Sequence, residues 1–362
     1  MSSTPTTPTA PAAPVATVPP RPFSQSTLAF VLRRAAKAVI TIWLAVSLTF
    51  FLIRLMPGNP IDIFMEDLVR AGASAEDARN QATMMMNLPL DQPVTTQYVN
   101  FIGNLLKGDL GTSYKARGVP VSEIIAQRLP WTIFSVGTSL FVSFTLGIIL
   151  GTLAAFRRNT LIDYLISNFA AVMEALPQFT LALLFVLMLG AVWKVIPISQ
   201  MRGALSPGIE IGFTAEFFGD VLSHLRVPLA VYVLTSVGGW ILAMRANTIN
   251  ALGEDYVTVA KARGLKDSRI MMAYVGRNAS LPLFTRLAIV IGFSMGGSLI
   301  IESIFKYRGL GWEAVLALGA RDYPVMQGIF LVTTAAVVVS GVIADFLYGY
   351  LDPRVRIATT NG

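Results

Sequence analysis

The chain has 362 residues, of which 54% are hydrophobic and only 14% charged, and its formal net charge is +7. A soluble globular protein is about 25% charged, so a surface with this little charge cannot face water everywhere. The lack of cysteine excludes disulfides, thiolate metal sites and thiol nucleophiles, and a single histidine, His224, excludes a histidine metal cluster.

The positive net charge has two interpretations, nucleic-acid binding or a membrane protein with basic cytoplasmic loops. The chain has no basic, aromatic-interleaved module of the kind that binds nucleic acid, so we expect no nucleic-acid partner. Several apolar runs exceed the roughly 18 residues that indicate a membrane span, which argues against a soluble α/β protein. The composition therefore predicts an all-α integral membrane protein.

The N-terminal part of the chain combines a polar tail with the first predicted span. Residues 1–22 are rich in proline, threonine and alanine, and we expect them to form a disordered cytoplasmic tail. The next region, residues 23–56, contains the span Val39–Met56. Arg33 and Arg34 precede this span, and the excess of basic residues on the cytoplasmic side of membranes places the N-terminus there.

The rest of the chain divides into a long loop, a helical core and a short tail. Residues 57–130 hold no run long enough to cross a membrane and are predicted to form an extracytoplasmic loop. The basic tail, residues 351–362, is predicted to be cytoplasmic, so about six spans with both termini inside are expected. The spans predicted within the core, residues 131–350, are Trp131–Phe156, Leu161–Val192, Val227–Met244, Leu283–Ile304 and Val325–Leu347. Glycine pairs that let helix backbones approach closely occur in two of them, Gly147 with Gly151 and Gly292 with Gly296.

Ionisable groups inside or beside the spans are functional candidates. Pro177 predicts a kink or break in the third span, and Glu174 lies three residues before it. Glu174 is either a pathway or proton-relay residue or a carboxylate bonded to backbone groups that the kink frees. We expect Glu302 to be exposed near the outer end of the fifth span, Asp163 to lie in the membrane interface, and His224 to be solvated.

The polar segment from residue 250 to residue 282, the coupling segment, separates the fourth and fifth predicted spans. A plain connector needs only a few residues, whereas this segment has about thirty with an amphipathic pattern. An ordinary solvated loop is one interpretation, but an apolar face beside a membrane needs a partner protein or lipid headgroups. The residues predicted to share that face are Leu252, Tyr256, Val259 and Ala260.

Capping residues predict a helix–turn–helix within the coupling segment. Glu254 and Asp255 lie near the start of the first helix, where the helix dipole favours acids. Gly264 is placed to end this helix. Asp267 or Ser268 is placed to cap a second helix.

The coupling segment resembles the coupling motif of inner-membrane components of binding-protein-dependent ABC importers. The usual motif is Glu-Ala-Ala, three residues, Gly, and then a downstream Leu-Pro. Here the triplet is Thr258-Val259-Ala260, the glycine is Gly264, and Leu281-Pro282 closes the motif. The triplet and the longer interval to Pro282 depart from the general form and resemble the oligopeptide/dipeptide permease subfamily.

Further pieces, in order, resemble the same subfamily, and the resemblance covers about residues 30 to 356. Those within the coupling segment are Asp255-Tyr256-Val257, the run from Ala260 to Leu265, and Arg277-Asn278-Ala279. Those outside it are Phe30 to Arg34, Arg54 to Pro60, Gly108 to Ser113, Pro120-Val121, Arg128 to Pro130, Ala320 to Pro324 and Leu351 to Arg356.

The resemblance implies a type I ABC importer permease fold for residues 131–350 and a multi-pass protein of the bacterial inner membrane. It implies four kinds of partner: a second permease, two ABC ATPase subunits, an extracytoplasmic binding protein and the bilayer. Basic side chains at Lys261, Arg263 and Lys266 would reach acidic groups on a partner or lipid phosphates. The residues implied to couple to the ATPase are Glu254, Asp255, Tyr256, Val259, Ala260, Lys261, Ala262, Arg263, Gly264, Leu265 and Pro282.

The chain lacks a phosphate-binding GxxxxGK[ST] loop, so any ATP must be hydrolysed by another chain. We therefore expect a transport subunit with no catalytic residues, no cofactor and no metal. The resemblance favours peptides as cargo, with oligosaccharides or metal chelates as alternatives. A secondary transporter is a rival interpretation, although it leaves the coupling segment unexplained. An intramembrane enzyme is a more distant one, since no nucleophile–base pair is evident.

Overall fold

The computed structural model describes residues 25–56, 60–85, 92–116 and 118–351. Over these residues the regular structure is helical apart from one isolated bridge between Thr112 and Pro120, which confirms the all-α prediction. The predicted tail of residues 1–22 lies outside the described residues, as does all but the first residue of the predicted tail 351–362.

The helices before the central part of the core are α1 (Gln25–Arg54), α2 (Pro60–Arg70), α3 (Ala75–Met85), α4 (Val94–Leu106), α5 (Val121–Phe156), α6 (Leu161–Ala175), α7 (Gln178–Phe185, followed by a π-helical turn Val186–Val192) and α8 (Ile198–Met201). The remaining helices are α9 (Ala215–Leu252), α10 (Asp255–Ala262), α11 (Asp267–Arg269, followed by a π-helical turn Ile270–Gly276), α12 (Arg277–Ser294), α13 (Leu299–Ile304), α14 (Leu310–Gly319) and α15 (Tyr323–Leu351).

Four described helices, α1, α5, α9 and α15, are long and apolar enough to cross a membrane. A fifth crossing is formed if α6 and α7 are taken as one span bent by 95°. The prediction of one continuous span over Leu283–Ile304 is wrong, because the chain leaves the helix after Ser294. Gly297 there adopts a left-handed conformation with φ of 73°, and α13 restarts at Leu299.

Helix α5 begins at Val121 rather than at the predicted Trp131, and it includes Pro130. Packing against other helices, which a hydropathy pattern does not reveal, stabilises the first turn of α5. Val121 and Ile125 are buried in a cluster with residues of α14 and α15, among them Leu310. Four polar or charged residues between Val121 and Trp131 therefore belong to a helix that the hydropathy pattern placed in a loop.

Helix α9 is the central element of the core, since α5, α6 and α12 all pack against it. The predicted glycine contacts explain how α5 comes so close. A Cβ on Gly147 would collide with Trp240 of α9, and one on Gly151 would lie 2.6 Å from the Ile241 carbonyl oxygen. In the same way, a Cβ on Gly292 of α12 would lie 2.6 Å from the Ser340 Cβ atom on α15. Backbone approach at these glycines confirms the small-residue prediction.

Candidate functional site

Helix α10 lies inside the coupling segment and ends as predicted at Gly264. Gly264 has a φ of 72°, a left-handed conformation that only glycine adopts without strain. The Gly264 amide donates to the Lys261 carbonyl at 2.9 Å, and the Leu265 amide donates to the Ala260 carbonyl at 3.3 Å. These two bonds form a Schellman motif, which satisfies the last carbonyls of the helix.

The buried face of α10 differs from the predicted apolar face. Val257 and Ala260 are buried in a cluster with α5, α9 and α12, and Tyr256 and Leu265 pack partly against it. Val259 instead faces outward, with 55% of its surface exposed. Ala260 therefore contacts this chain's own core, which contradicts its placement on an outward docking face. Val257, which the sequence interpretation missed, shares a helix face with Ala260 at a spacing of three residues.

The outward face of α10 is a stripe at helical spacing, formed by Asp255, Thr258, Val259 and Ala262, all of them exposed. Beyond its C-terminal end, exposed basic side chains surround the turn. These are Lys261, Arg263, Lys266 and Arg269. The coupling segment thus presents a small, mostly uncharged helix face flanked by positive charge, which suits a partner groove with an acidic rim.

The second part of the coupling segment is continuous with α12. Neither Asp267 nor Ser268 caps it as predicted, because the position before the helix is Lys266, whose carbonyl accepts from the amides of Arg269 and Ile270. Helical backbone continues through the π-helical turn into α12. Pro282 lies exposed in the second turn of α12, so it does not end the segment.

The chain breaks at Pro177 as predicted. Helix α6 ends at Ala175, Leu176 is extended, and α7 starts at Gln178. The proposed bonding of Glu174 to freed backbone groups is wrong, since no described residue donates a hydrogen bond to its carboxylate. The carboxylate is exposed and lies beside Gly239 of α9, where a Cβ would be 2.9 Å from Oε2. A pathway role for Glu174 and Pro177 stays a prediction.

Asp163 is buried within the chain, with 2% of its surface exposed, and its place in the membrane interface stays a prediction. Arg245 of α9 donates from Nε to Oδ1 at 2.7 Å and from Nη2 to Oδ2 at 2.9 Å. The Asn159 amide and the Ser167 hydroxyl also donate to the carboxylate. This bidentate pair ties the start of α6 to α9 seven residues before α9 ends, next to the coupling segment. The pair joins residues 82 positions apart, and no local pattern indicates it.

Glu302 is fully buried, which contradicts its predicted exposure. Its carboxylate accepts from the Thr132 hydroxyl at 3.0 Å and from the Trp312 amide at 3.1 Å. Glycines make room for the group, since a Cβ on Gly309 would collide with it and one on Gly297 would lie 2.7 Å from Oε1. We call Glu302 with Thr132, Gly297, Gly309 and Trp312 the Glu302 cluster.

His224 is also buried rather than solvated, with its Nδ1 atom 2.9 Å from the Asp220 carbonyl oxygen. Within the part of the chain that the structure describes, no group of three or more histidine, aspartate or glutamate residues could hold a metal ion.

Comparison with known sequences identifies the family. The model of the family described as "binding-protein-dependent transport system inner membrane component" matches residues 147–357, more than half of the chain. The chain belongs to this family. The model for the N-terminal part of such membrane components matches residues 27–136. Membership of this transport family confirms the resemblance that the coupling segment indicated. It does not favour the rival interpretation, a secondary transporter. It also agrees with the apolar helices in indicating a multi-pass inner-membrane protein.

Several relatives in this transport family cover nearly the whole chain. The oligopeptide transport system permease protein AppB of Bacillus subtilis is 31% identical over 328 residues, 91% of this chain and 99% of the relative. The di/tripeptide transport system permease protein DppB of Pseudomonas aeruginosa is 31% identical over 341 residues, with the same coverage. The dipeptide transport system permease protein DppB of Escherichia coli is 28% identical over 342 residues, again with the same coverage.

Proposed function

We propose that this chain is a permease subunit of an ATP-driven importer and forms half of the translocation path for peptides. The observation that carries the proposal is the similarity, over 91% of the chain, to permeases named for oligopeptide, dipeptide and di/tripeptide transport. These names favour peptides over oligosaccharides and metal chelates. The chain has no ATPase site of its own, so a separate ATPase subunit hydrolyses the ATP.

Both termini lie in the cytoplasm in this proposal, and the coupling segment faces the ATPase. The partners are a second permease, two ATPase subunits and an extracytoplasmic binding protein. The exposed stripe of α10 enters a groove on the ATPase, and the basic side chains around Gly264 meet its acidic rim. Val257 and Ala260 join α10 to an apolar cluster formed by the π-helical turn Ile270–Gly276 and by α5, α9 and α12. Movement of the docked helix is therefore passed to three helices of the core through apolar contact.

Gly264 provides the test, with Gly253 as a matched control. Valine at Gly264 would have to adopt a φ near 72°, which is a steric outlier for a β-branched residue, so the turn should reorganise. Gly253, at the other end of α10, has a φ of −83°, which any residue adopts. We expect Gly264→Val to abolish peptide uptake while the chain still inserts in the membrane, and Gly253→Val to retain most uptake.

Uptake of labelled peptides by cells, membrane levels of the chain and co-purification of the ATPase subunit measure these outcomes. Normal uptake by Gly264→Val would contradict the coupling role. Failure of any ATPase subunit to co-purify with the wild-type chain would contradict the importer assignment, whatever the behaviour of the variants.

A further inference from the structure

Two charged side chains of opposite sign lie at similar depth in the helical core, and neither forms an ion pair with a described residue. The Glu174 carboxylate on α6 lies beside Gly239 of α9. The Arg286 guanidinium on α12 lies over the Trp240 ring of α9, with its central carbon 4.9 Å from the ring centroid. Gly239 and Trp240 are consecutive, so the two contacts differ by about 1.5 Å along the helix axis.

Both charges lie deep within the apolar part of the chain. Gly239 and Trp240 are within about 7 Å of the centre of the predicted span Val227–Met244, at a rise of 1.5 Å per residue. A charged side chain at the centre of a bilayer costs roughly 3 kcal/mol even on the lowest scales, and such groups face bundle interiors or water-filled cavities. Glu174 and Arg286 are both exposed, so lipid is a poor environment for either.

The packing around α9 places the two charges on one uncovered side. Helix α5 covers the side of Trp240, where Gly147 approaches its Cβ atom and the Phe144 ring packs edge-on against the indole. Helix α6 covers the side of Gly238, where a Cβ would collide with the Ala170 carbonyl. Between α6 and α12, three residues of α9 remain partly exposed, namely Ser236, Gly239 and Ala243. Glu174 contacts this strip at Gly239, and Arg286 of α12 contacts Trp240, the residue that follows Gly239.

The described residues leave both charged groups available to a ligand. No hydrogen bond or ion pair to the Glu174 carboxylate is formed within the described ranges. Among the described residues, Arg286 contacts the face of the Trp240 ring. This contact uses none of the guanidinium N–H groups as hydrogen-bond donors to an acceptor oxygen, so they can donate to a ligand. Arginine and carboxylate groups commonly form charge-assisted bonds with ligands of opposite charge.

We propose that Glu174 and Arg286 form a bipolar peptide-binding station on the strip of α9 between α6 and α12. Glu174 receives the α-ammonium group of the peptide, and Arg286 receives its terminal carboxylate. This inference rests on the proposed peptide function. A free peptide carries both charges whatever its side chains, so recognition at the termini passes peptides of many sequences.

The test compares free and blocked peptides in proteoliposomes that contain the whole transporter and its binding protein. The probes are alanine peptides of increasing length, each also prepared with an N-terminal acetyl group or a C-terminal amide. Each variant is compared with wild type on the same peptide, so differences in delivery by the binding protein cancel. The ratio of the uptake rates of two peptides by one preparation does not depend on the amount of folded protein.

We expect Glu174→Gln to lower uptake of free and amidated peptides about tenfold and to leave acetylated peptides unchanged. We expect Arg286→Gln to lower uptake of free and acetylated peptides about tenfold and to leave amidated ones unchanged. With free peptides alone, the KM of each variant should rise about tenfold, whereas Glu174→Asp and Arg286→Lys should stay near the wild-type KM.

A second variant near Glu174 acts without removing charge. In Gly239→Ala the new Cβ would meet the flexible end of Glu174 at 2.9 Å, so it should displace the carboxylate and give a smaller loss with the same selectivity. Equal losses on free and blocked peptides, or an unchanged KM in the glutamine variants, would overturn the binding station alone. A wild-type transporter that imports none of the free peptides would overturn the proposed peptide function and the station with it.

Discussion

The Glu302 cluster and the coupling segment both carry charged side chains next to the helical core, but they satisfy them differently. In the Glu302 cluster, a carboxylate with no exposed surface accepts from Thr132 and Trp312 of the same chain. Nearby, Asp322 is also buried and accepts from the Ser113 hydroxyl at 2.5 Å and from the Lys115 amide at 3.1 Å. Around α10, by contrast, acidic and basic side chains are exposed.

This difference separates a region whose polar groups are satisfied within one chain from a region that we propose to bind a partner. Thr132 connects α5 to α13 and α14, because its hydroxyl donates to Glu302 and accepts from the Leu310 amide at 2.8 Å. No comparable network crosses from the exposed face of α10 to the rest of the described chain. The Glu302 cluster should therefore contribute to folding, and the α10 stripe to assembly.

The largest effect on stability is expected from Glu302→Ala. The substitution leaves the Thr132 hydroxyl and the Trp312 amide without their acceptor in a buried site, at a cost of at least about 3 kcal/mol in the free energy of unfolding. Thermal unfolding of the purified transporter in detergent measures it. Glu210→Ala, in an exposed loop, serves as control and should leave the melting temperature unchanged. A melting temperature for Glu302→Ala equal to wild type would remove the distinction between the two regions.

A smaller effect is expected at Asp163 and Arg245, the partly buried ion pair beside the coupling segment. Because Arg245 is partly exposed, Asp163→Asn should cost about 1 kcal/mol, near the upper end for such pairs. The double variant Asp163→Asn with Arg245→Gln should cost little more than the larger single change, since both remove one interaction. A double-variant cycle by thermal unfolding checks this, and strictly additive costs would show that the pair is not coupled.

The smallest effect on stability is expected on the outward face of α10, where Val259 and Val257 form a matched pair. Val259→Ser changes an exposed position and should alter the free energy of unfolding by less than about 0.5 kcal/mol, while reducing the ATPase that co-purifies. Val257→Ser, on the buried face, should cost about 2 kcal/mol. Thermal unfolding and ATPase co-purification are measured on both. Reversed outcomes would mean that α10 docks through its other face.

Features set by local backbone chemistry could be predicted from the sequence. Pro177 has no amide hydrogen and disfavours helix at the preceding residue, so a break there followed from one residue type. Gly264 likewise marked the end of α10, because few other residues adopt the left-handed conformation of the turn. The family also followed from short motifs whose order is specific.

Features set by distant contacts could not be predicted in this way. The partner of Glu302 on α5, Thr132, is 170 residues away, so the sequence around Glu302 gave no sign of burial. The sequence also left open which face of α10 is buried, since Val257 and Val259 are the same residue type. The positions of the π-helical turn, α5, α9 and α12 decide that Val257 is covered and Val259 is not.

The length of α9 fixes how far the coupling segment stands from the hydrocarbon of the bilayer. Its 38 residues extend about 57 Å, against a hydrocarbon core of about 30 Å. The predicted span ends at Met244, and the eight residues from Arg245 to Leu252 carry the helix about 12 Å further. A headgroup layer is only about 5–7 Å deep on each side. With α9 along the membrane normal, the end of this helix would lie beyond the headgroups, which would bring α10 within reach of a water-soluble protein.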